Sequence, residues 1–179
     1  MQNVETHSNS GGLPQHDDLV IEQLVVWYFL AGLGYMFVSM LGGLLMALQL
    51  VHWNTLQGIE WLSPGRWRMV HTNAIAYGFI ANCFLGALHW AVPRLTLHPV
   101  LSKPLSYFIF FAWQVVVLST AVGILAGQAQ GIEWGETPVW IDPLAQVGLL
   151  LVAINFMTPI LRAKSPMYVT LWYFIAALI

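Results

Sequence analysis

Arg66, Arg68 and His71 open the stretch GRWRMVHTNAIAYGF, a run that is otherwise soluble in lipid. A neutral imidazole is a common haem iron ligand, and the two propionates of a haem call for cationic donors such as arginine. His71 follows Arg68 by about one helical turn, so a helix brings both to a similar face. One reading of the set is an axial ligand with propionate clamps. The other is an interfacial histidine beside arginines that snorkel to lipid phosphates. Ala74, Gly78, Ala81 and Gly86 follow, and such small residues admit either a flat macrocycle or a second helix close to the backbone.

A second chemical candidate is the loop GQAQGIEWGETPVWID, with carboxylates at Glu133 and Glu136. Both could face one hard cation, since calcium takes oxygen ligands at about 2.3–2.6 Å. Two carboxylates alone make a poor calcium site, and haem propionates on the same membrane side could add oxygens. Otherwise the loop is a hydrated acidic turn anchored by Trp134 and Trp140. A second axial ligand from this chain has one candidate, His52, because His89 lies about 27 Å below His71 along a helix. His98 belongs to the opposite loop, and an additional helix is the other source.

These residues must be positioned by membrane helices. The chain is 58% hydrophobic and 8% charged, with a mean hydropathy of +0.69, too few charges to solvate a globular surface. The fold class is therefore an all-α integral membrane bundle. A net charge of −2 and no basic cluster beyond Arg66–Arg68 exclude a nucleic-acid partner. The lone Cys83 sits in an apolar run and reads as a small hydrophobe. Residues 1–18, which include His7 and His16, read as a polar, uncleaved tail, and residues 19–179 as one transmembrane unit.

A span needs roughly 20 apolar residues, and charged positions cut the chain into five windows. Helices are expected at 20–50 and 69–92, from about Pro104, between Asp142 and Arg162, and from about Pro166. The last window covers only about 21 Å, so the fifth span is expected to be incomplete, with further chain or another polypeptide completing the bundle. Arg94 with Lys103, and Arg162 with Lys164, place two loops on the cytoplasmic side by the positive-inside rule. Glu133, Glu136 and Asp142 then fall outside, as expected. Arg66 and Arg68 also fall outside, against the rule, which suggests an anionic partner there. Gln114, Ser119, Thr120, Asn82, Asn155 and Thr158 are expected to make interhelical hydrogen bonds.

The run Arg68-Met69-Val70-His71-Thr72-Asn73-Ala74 resembles the R-x-x-H-T-N-A signature of the catalytic subunit of cbb3-type cytochrome c oxidases, the C-family of haem–copper oxidases. Glu133-Trp134-Gly135-Glu136, Trp140-Ile141-Asp142 and the Tyr168–Phe174 pattern extend the resemblance over about residues 23 to 179. The resemblance implies that His71 is an axial ligand of low-spin haem b, with Arg68 and, less directly, Arg66 at its propionates. It implies that Glu133 ligates a calcium ion and that Glu136 supports that site. It also implies c-type cytochrome subunits as partners in a bacterial inner membrane, electron transfer to a high-spin haem and copper, reduction of oxygen to water and proton translocation. Ligands of the high-spin haem and copper belong to helices beyond the fifth, so no catalytic residue is expected here, and the second haem b ligand comes from a later helix rather than from His52.

Three other readings stand beside this one. A cytochrome c-dependent nitric oxide reductase shares the haem ligand and paired glutamates but carries non-haem iron in place of copper. A non-enzymatic haem b electron carrier would use His71 and His52. A cofactor-free scaffold or transporter would leave the arginine pair and the glutamate pair without a common explanation.

Overall fold

The computed structural model describes residues 19–51, 58–163 and 167–178. The tail at 1–18, His52 and Lys164 lie outside them. The described residues form helices and no strand: α1 (Glu22–Leu50), α2 (Pro64–Thr96), α3 (Lys103–Leu125), α4 (Asp142–Arg162) and α5 (Val169–Leu178). A single 3₁₀ turn, Glu60–Leu62, leads into α2. The first four helices are long and apolar enough to cross a membrane, and α5 contributes 10 residues.

Helix α2 begins at Pro64, earlier than the expected residue 69. Proline needs no intrahelical donor at the first position and presets the helical φ, and Trp67 N–H then closes the first turn on Ser63 O at 3.1 Å. Arg66 and Arg68 are therefore helical residues rather than loop residues. Ser102 caps α3 by accepting from Leu105 N at 3.4 Å, and Arg94 and Arg162 sit in the last turns of α2 and α4, where a cation complements the helix dipole.

Helices α1 and α2 lie antiparallel, Tyr28 beside Gly86 and Ser39 beside His71. A Cβ at Gly78 would stand 2.7 Å from Tyr35, and one at Gly86 would stand 3.0 Å from Tyr28. Gly78 and Gly86 thus admit α1 close to α2. At this end of the bundle, Leu24, Tyr28, Leu88, Val92 and Phe156 are fully buried in the shared apolar core. Gln114 donates to Asn82 at 2.8 Å and Asn155 to Ser106 at 2.9 Å, the expected interhelical bonds, each contributing roughly 0.6 kcal/mol in a membrane. Thr158 instead donates to Ile154 O of its own helix.

Within α2, Ala74–Ile80 is wound as a π-helix, which the sequence reading did not anticipate. Such a wide turn disturbs the regular bonding ladder, and in an apolar setting carbonyls need other donors. Trp113 of α3 donates its indole N–H to Tyr77 O at 3.0 Å, and Asn82 donates to Gly78 O at 2.6 Å. The π segment is thereby pinned from both sides, immediately below His71.

Candidate cofactor site

His71 is half-buried and seated against α1. Its Nδ1 lies 2.7 Å from Ser39 O and 3.0 Å from Ser39 Oγ. The Ser39 hydroxyl also donates to His71 O at 2.9 Å. A backbone carbonyl can only accept, so Nδ1 carries the proton and Nε2 keeps its lone pair, the tautomer a metal ligand requires. Among the described residues nothing bonds to Nε2. Gly43 makes the seat possible: a Cβ there would stand 2.8 Å from His71 Cε1 and 3.0 Å from Nδ1.

Arg68 and His71 do not converge on one contact. His71 turns to α1, while Arg68, exposed, lines a cavity of about 410 Å³ with Met69, Gln130, Gly131, Ile132, Glu133 and Glu136. The structure thus brings three of the sequence candidates, Arg68, Glu133 and Glu136, to one cavity. Glu136 is only 3% exposed, and Asn73 supports it, donating from Nδ2 to Glu136 Oε2 at 3.0 Å and to Met69 O at 2.8 Å. Glu133 is exposed at the rim. Tyr77 adds a second tie, its hydroxyl donating to Trp134 O, so α2 holds the acidic loop in place at two points.

Arg66 is engaged elsewhere. It donates from one terminal nitrogen to Leu125 O at 2.8 Å, and from the other to the exposed carboxylate of Glu60. Its guanidinium also packs on Gly127, where a Cβ would stand 2.8 Å away. Its work is to fasten the start of α2 to the end of α3.

The donor chemistry fits an imidazole-ligated haem: a ring held at Nδ1, an open Nε2, and a cation within about one turn. For calcium the fit is partial. Among the described residues no group of three or more His, Cys, Asp or Glu side chains gathers as a metal would need. Calcium takes about six to eight oxygens, so Glu133 and Glu136 would need further oxygens from outside this set. His89 is 1% exposed, its Nδ1 lies 2.8 Å from Leu85 O, and its ring is stacked on Tyr28 and edge-on to Phe156. It has no room for a ligand. His98 bonds to Thr96 O of its own turn.

Sequence reasoning missed Ser39 and Gly43. The signal for Ser39 was present: apart from aromatic residues it is the only polar side chain of α1 between Gln23 and Gln49. Gly43 is one of several glycines, and only the placement of His71 distinguishes it.

Residues 23–179 match the family model described as Cytochrome C and Quinol oxidase polypeptide I. The chain is 28% identical over 120 residues to cytochrome c oxidase subunit 1 of Rhodobacter capsulatus, covering 66% of this chain and 23% of that protein. It is 24% identical over 159 residues to a cytochrome c oxidase subunit 1 homolog of Agrobacterium tumefaciens (strain T37), covering 88% and 29%. It is 28% identical over 117 residues to the cbb3-type cytochrome c oxidase subunit CcoN1 of Stutzerimonas stutzeri, covering 65% and 25%. The chain thus spans about a quarter of the length of these relatives. With the match running from the start of α1 to the last residue, the chain belongs to the cytochrome c and quinol oxidase polypeptide I family.

Proposed function

We propose that the chain is the N-terminal portion of the catalytic subunit of a cbb3-type respiratory terminal oxidase, and that its own task is to bind low-spin haem b. The reading rests on the family match, on the cbb3-type relative, and above all on one observation: the Nδ1 of His71 is held by Ser39 O at 2.7 Å while Nε2 stays unengaged. In the whole assembly, electrons pass from c-type cytochrome subunits through haem b to a high-spin haem and copper, where oxygen becomes water and protons are translocated. The ligands of that second centre come from helices that this chain does not supply. The setting is a bacterial inner membrane, with the remaining helices of the subunit as immediate partners.

Haem b, when bound, supplies a one-electron ferric–ferrous couple. The chain's residues position it. Ser39 fixes the tautomer and angle of His71, and an N–H···O=C bond on the far nitrogen raises the basicity of the ligating one. Arg68 provides a cation for a propionate. Glu133, supported by the buried Glu136 and its Asn73 donor, would be the protein carboxylate of a calcium site, with the further oxygens such an ion requires coming from outside these residues.

The test is the reduced-minus-oxidised spectrum of the purified assembly, with and without carbon monoxide. A low-spin b-type band that disappears in His71→Ala, beside a carbon monoxide-reactive high-spin haem that persists, is the expected outcome. Retention of the low-spin band in His71→Ala would remove His71 as ligand. Elemental analysis showing non-haem iron in place of copper would reassign the assembly to nitric oxide reduction.

A further inference from the structure

Trp67 carries a buried indole N–H with no hydrogen-bond partner. An unmet buried donor costs about 1–3 kcal/mol, and in a native chain such a group calls for an explanation. The ring is not displaced from its place. Its Cε3 and Cζ3 edge lies against Gly42, where a Cβ would stand 3.0 Å away, so the indole is docked on α1. Nε1 lies on the opposite edge of the bicycle, turned away from that contact. Trp67 precedes His71 by four residues, which sets both on one face of α2, about 6 Å apart along the axis. The adjacent glycines Gly42 and Gly43 seat the two rings side by side.

We infer that the Trp67 N–H is a carboxylate donor of the cofactor site and binds a propionate of the haem that His71 ligates. This rests on the haem b reading above. Two observations single Trp67 out. Arg66, expected as the second propionate partner, is committed to Leu125 O and Glu60. Trp67 shares the seat of His71, whereas Arg68 turns toward the glutamate cavity. An indole N–H offers one directional donor without a charge, and its acceptor must come from outside the described chain, since nothing within it bonds to Nε1. A haem propionate beside the axial histidine is an anionic acceptor on the correct face.

Trp67→Phe keeps an aromatic ring on Gly42 and removes only the donor. In the purified assembly, haem carrying ¹³C in its propionate carboxylates gives redox-difference infrared bands that report hydrogen bonding directly. The expected result is a shifted carboxylate band and a lower haem b midpoint potential in Trp67→Phe, with haem content retained. Unchanged bands and potential with the low-spin haem present would overturn the Trp67 assignment and leave the haem b reading intact. Absence of low-spin haem from the unaltered assembly would overturn both. If Trp67→Phe fails to assemble, Trp67→Leu, which keeps an apolar side chain on Gly42 and has no donor, serves as the second variant: an unchanged carboxylate band would likewise overturn the assignment, and a shifted band supports it.

Discussion

His71 and His89 stand on the same helix, each held at Nδ1 by a backbone carbonyl with Nε2 unbonded among the described residues, and differ in what surrounds the ring. His89 is 1% exposed, stacked on Tyr28 at 5.1 Å and edge-on to Phe156 at 4.7 Å. Rings of its own bundle enclose it. His71 is half-buried, tied to α1 by one nitrogen only. The indole N–H of Trp67, on the same face, has no acceptor among the described residues, and Arg68 and Glu136 line a separate cavity. The comparison extends to the two ends of the bundle. One end closes on an apolar core in which Tyr28 Oη and His89 Nε2 are unpartnered within the described chain, and the other gathers the charged groups around the acidic loop. Hydrogen bonding alone therefore does not separate the two; a histidine enclosed by rings reads as a core residue, and a half-buried one as a ligand candidate.

That contrast can be broken most directly by exchanging the two positions' roles. His71→Ala is expected to abolish the low-spin haem band entirely, while His89→Phe keeps it and changes stability by no more than about 1.5 kcal/mol, because an aromatic of similar volume replaces a buried ring. Optical spectra and detergent-denaturation midpoints of the two assemblies decide it, and loss of the band in His89→Phe alone would reverse the comparison.

The next largest effect concerns the seat. Gly43→Ala places a methyl 2.8 Å from His71 Cε1, so the ring must move, and reduced haem content with a displaced low-spin band is expected. Gly34→Ala, with nothing within 4 Å of its Cβ position, is expected to leave the spectrum as it was. Equal effects from both glycines would show that helix packing rather than the ring's seat is responsible.

At the polar end, Asn73→Ala leaves the buried Glu136 carboxylate without its donor at 3.0 Å, a loss of about 1–3 kcal/mol. Calcium content of the purified assembly should fall in Asn73→Ala and in Glu133→Gln. Unchanged calcium in both would separate these carboxylates from any cation. The smallest change is expected from Ser39→Ala. It removes the hydroxyl bond to His71 O at 2.9 Å but keeps the backbone carbonyl that holds Nδ1, so a loss of about 0.5–1.5 kcal/mol and a modest potential shift are expected, with the haem retained. Ser39→Thr should restore both.

Much of this arrangement was legible in the residues. Four apolar windows became the four long helices, because a chain with so few charges has few places to expose backbone to water. Glu133 and Glu136 read as facing one point, and the structure sets both on one cavity with Arg68. Arg66 was legible as a cation but not in its engagement, since its partners Leu125 O and Glu60 depend on how α3 ends beside α2. The π-helical turn below His71 had no sequence signal strong enough to read. Its Tyr77 carbonyl is met by the Trp113 indole, and that pairing exists only once α3 lies against α2.

The sequence by itself determined that this is a helical membrane chain and which few ionisable residues enter it, because transfer free energies act on each residue wherever it stands. Only the tertiary structure decided what those residues face. The tautomer of His71 follows from a carbonyl on another helix, the support of Glu136 from an asparagine 63 positions away, and the seat of Trp67 from a glycine on α1. Hydrogen bonds and ring contacts act over a few ångströms, so their outcome is set by packing that no single segment contains.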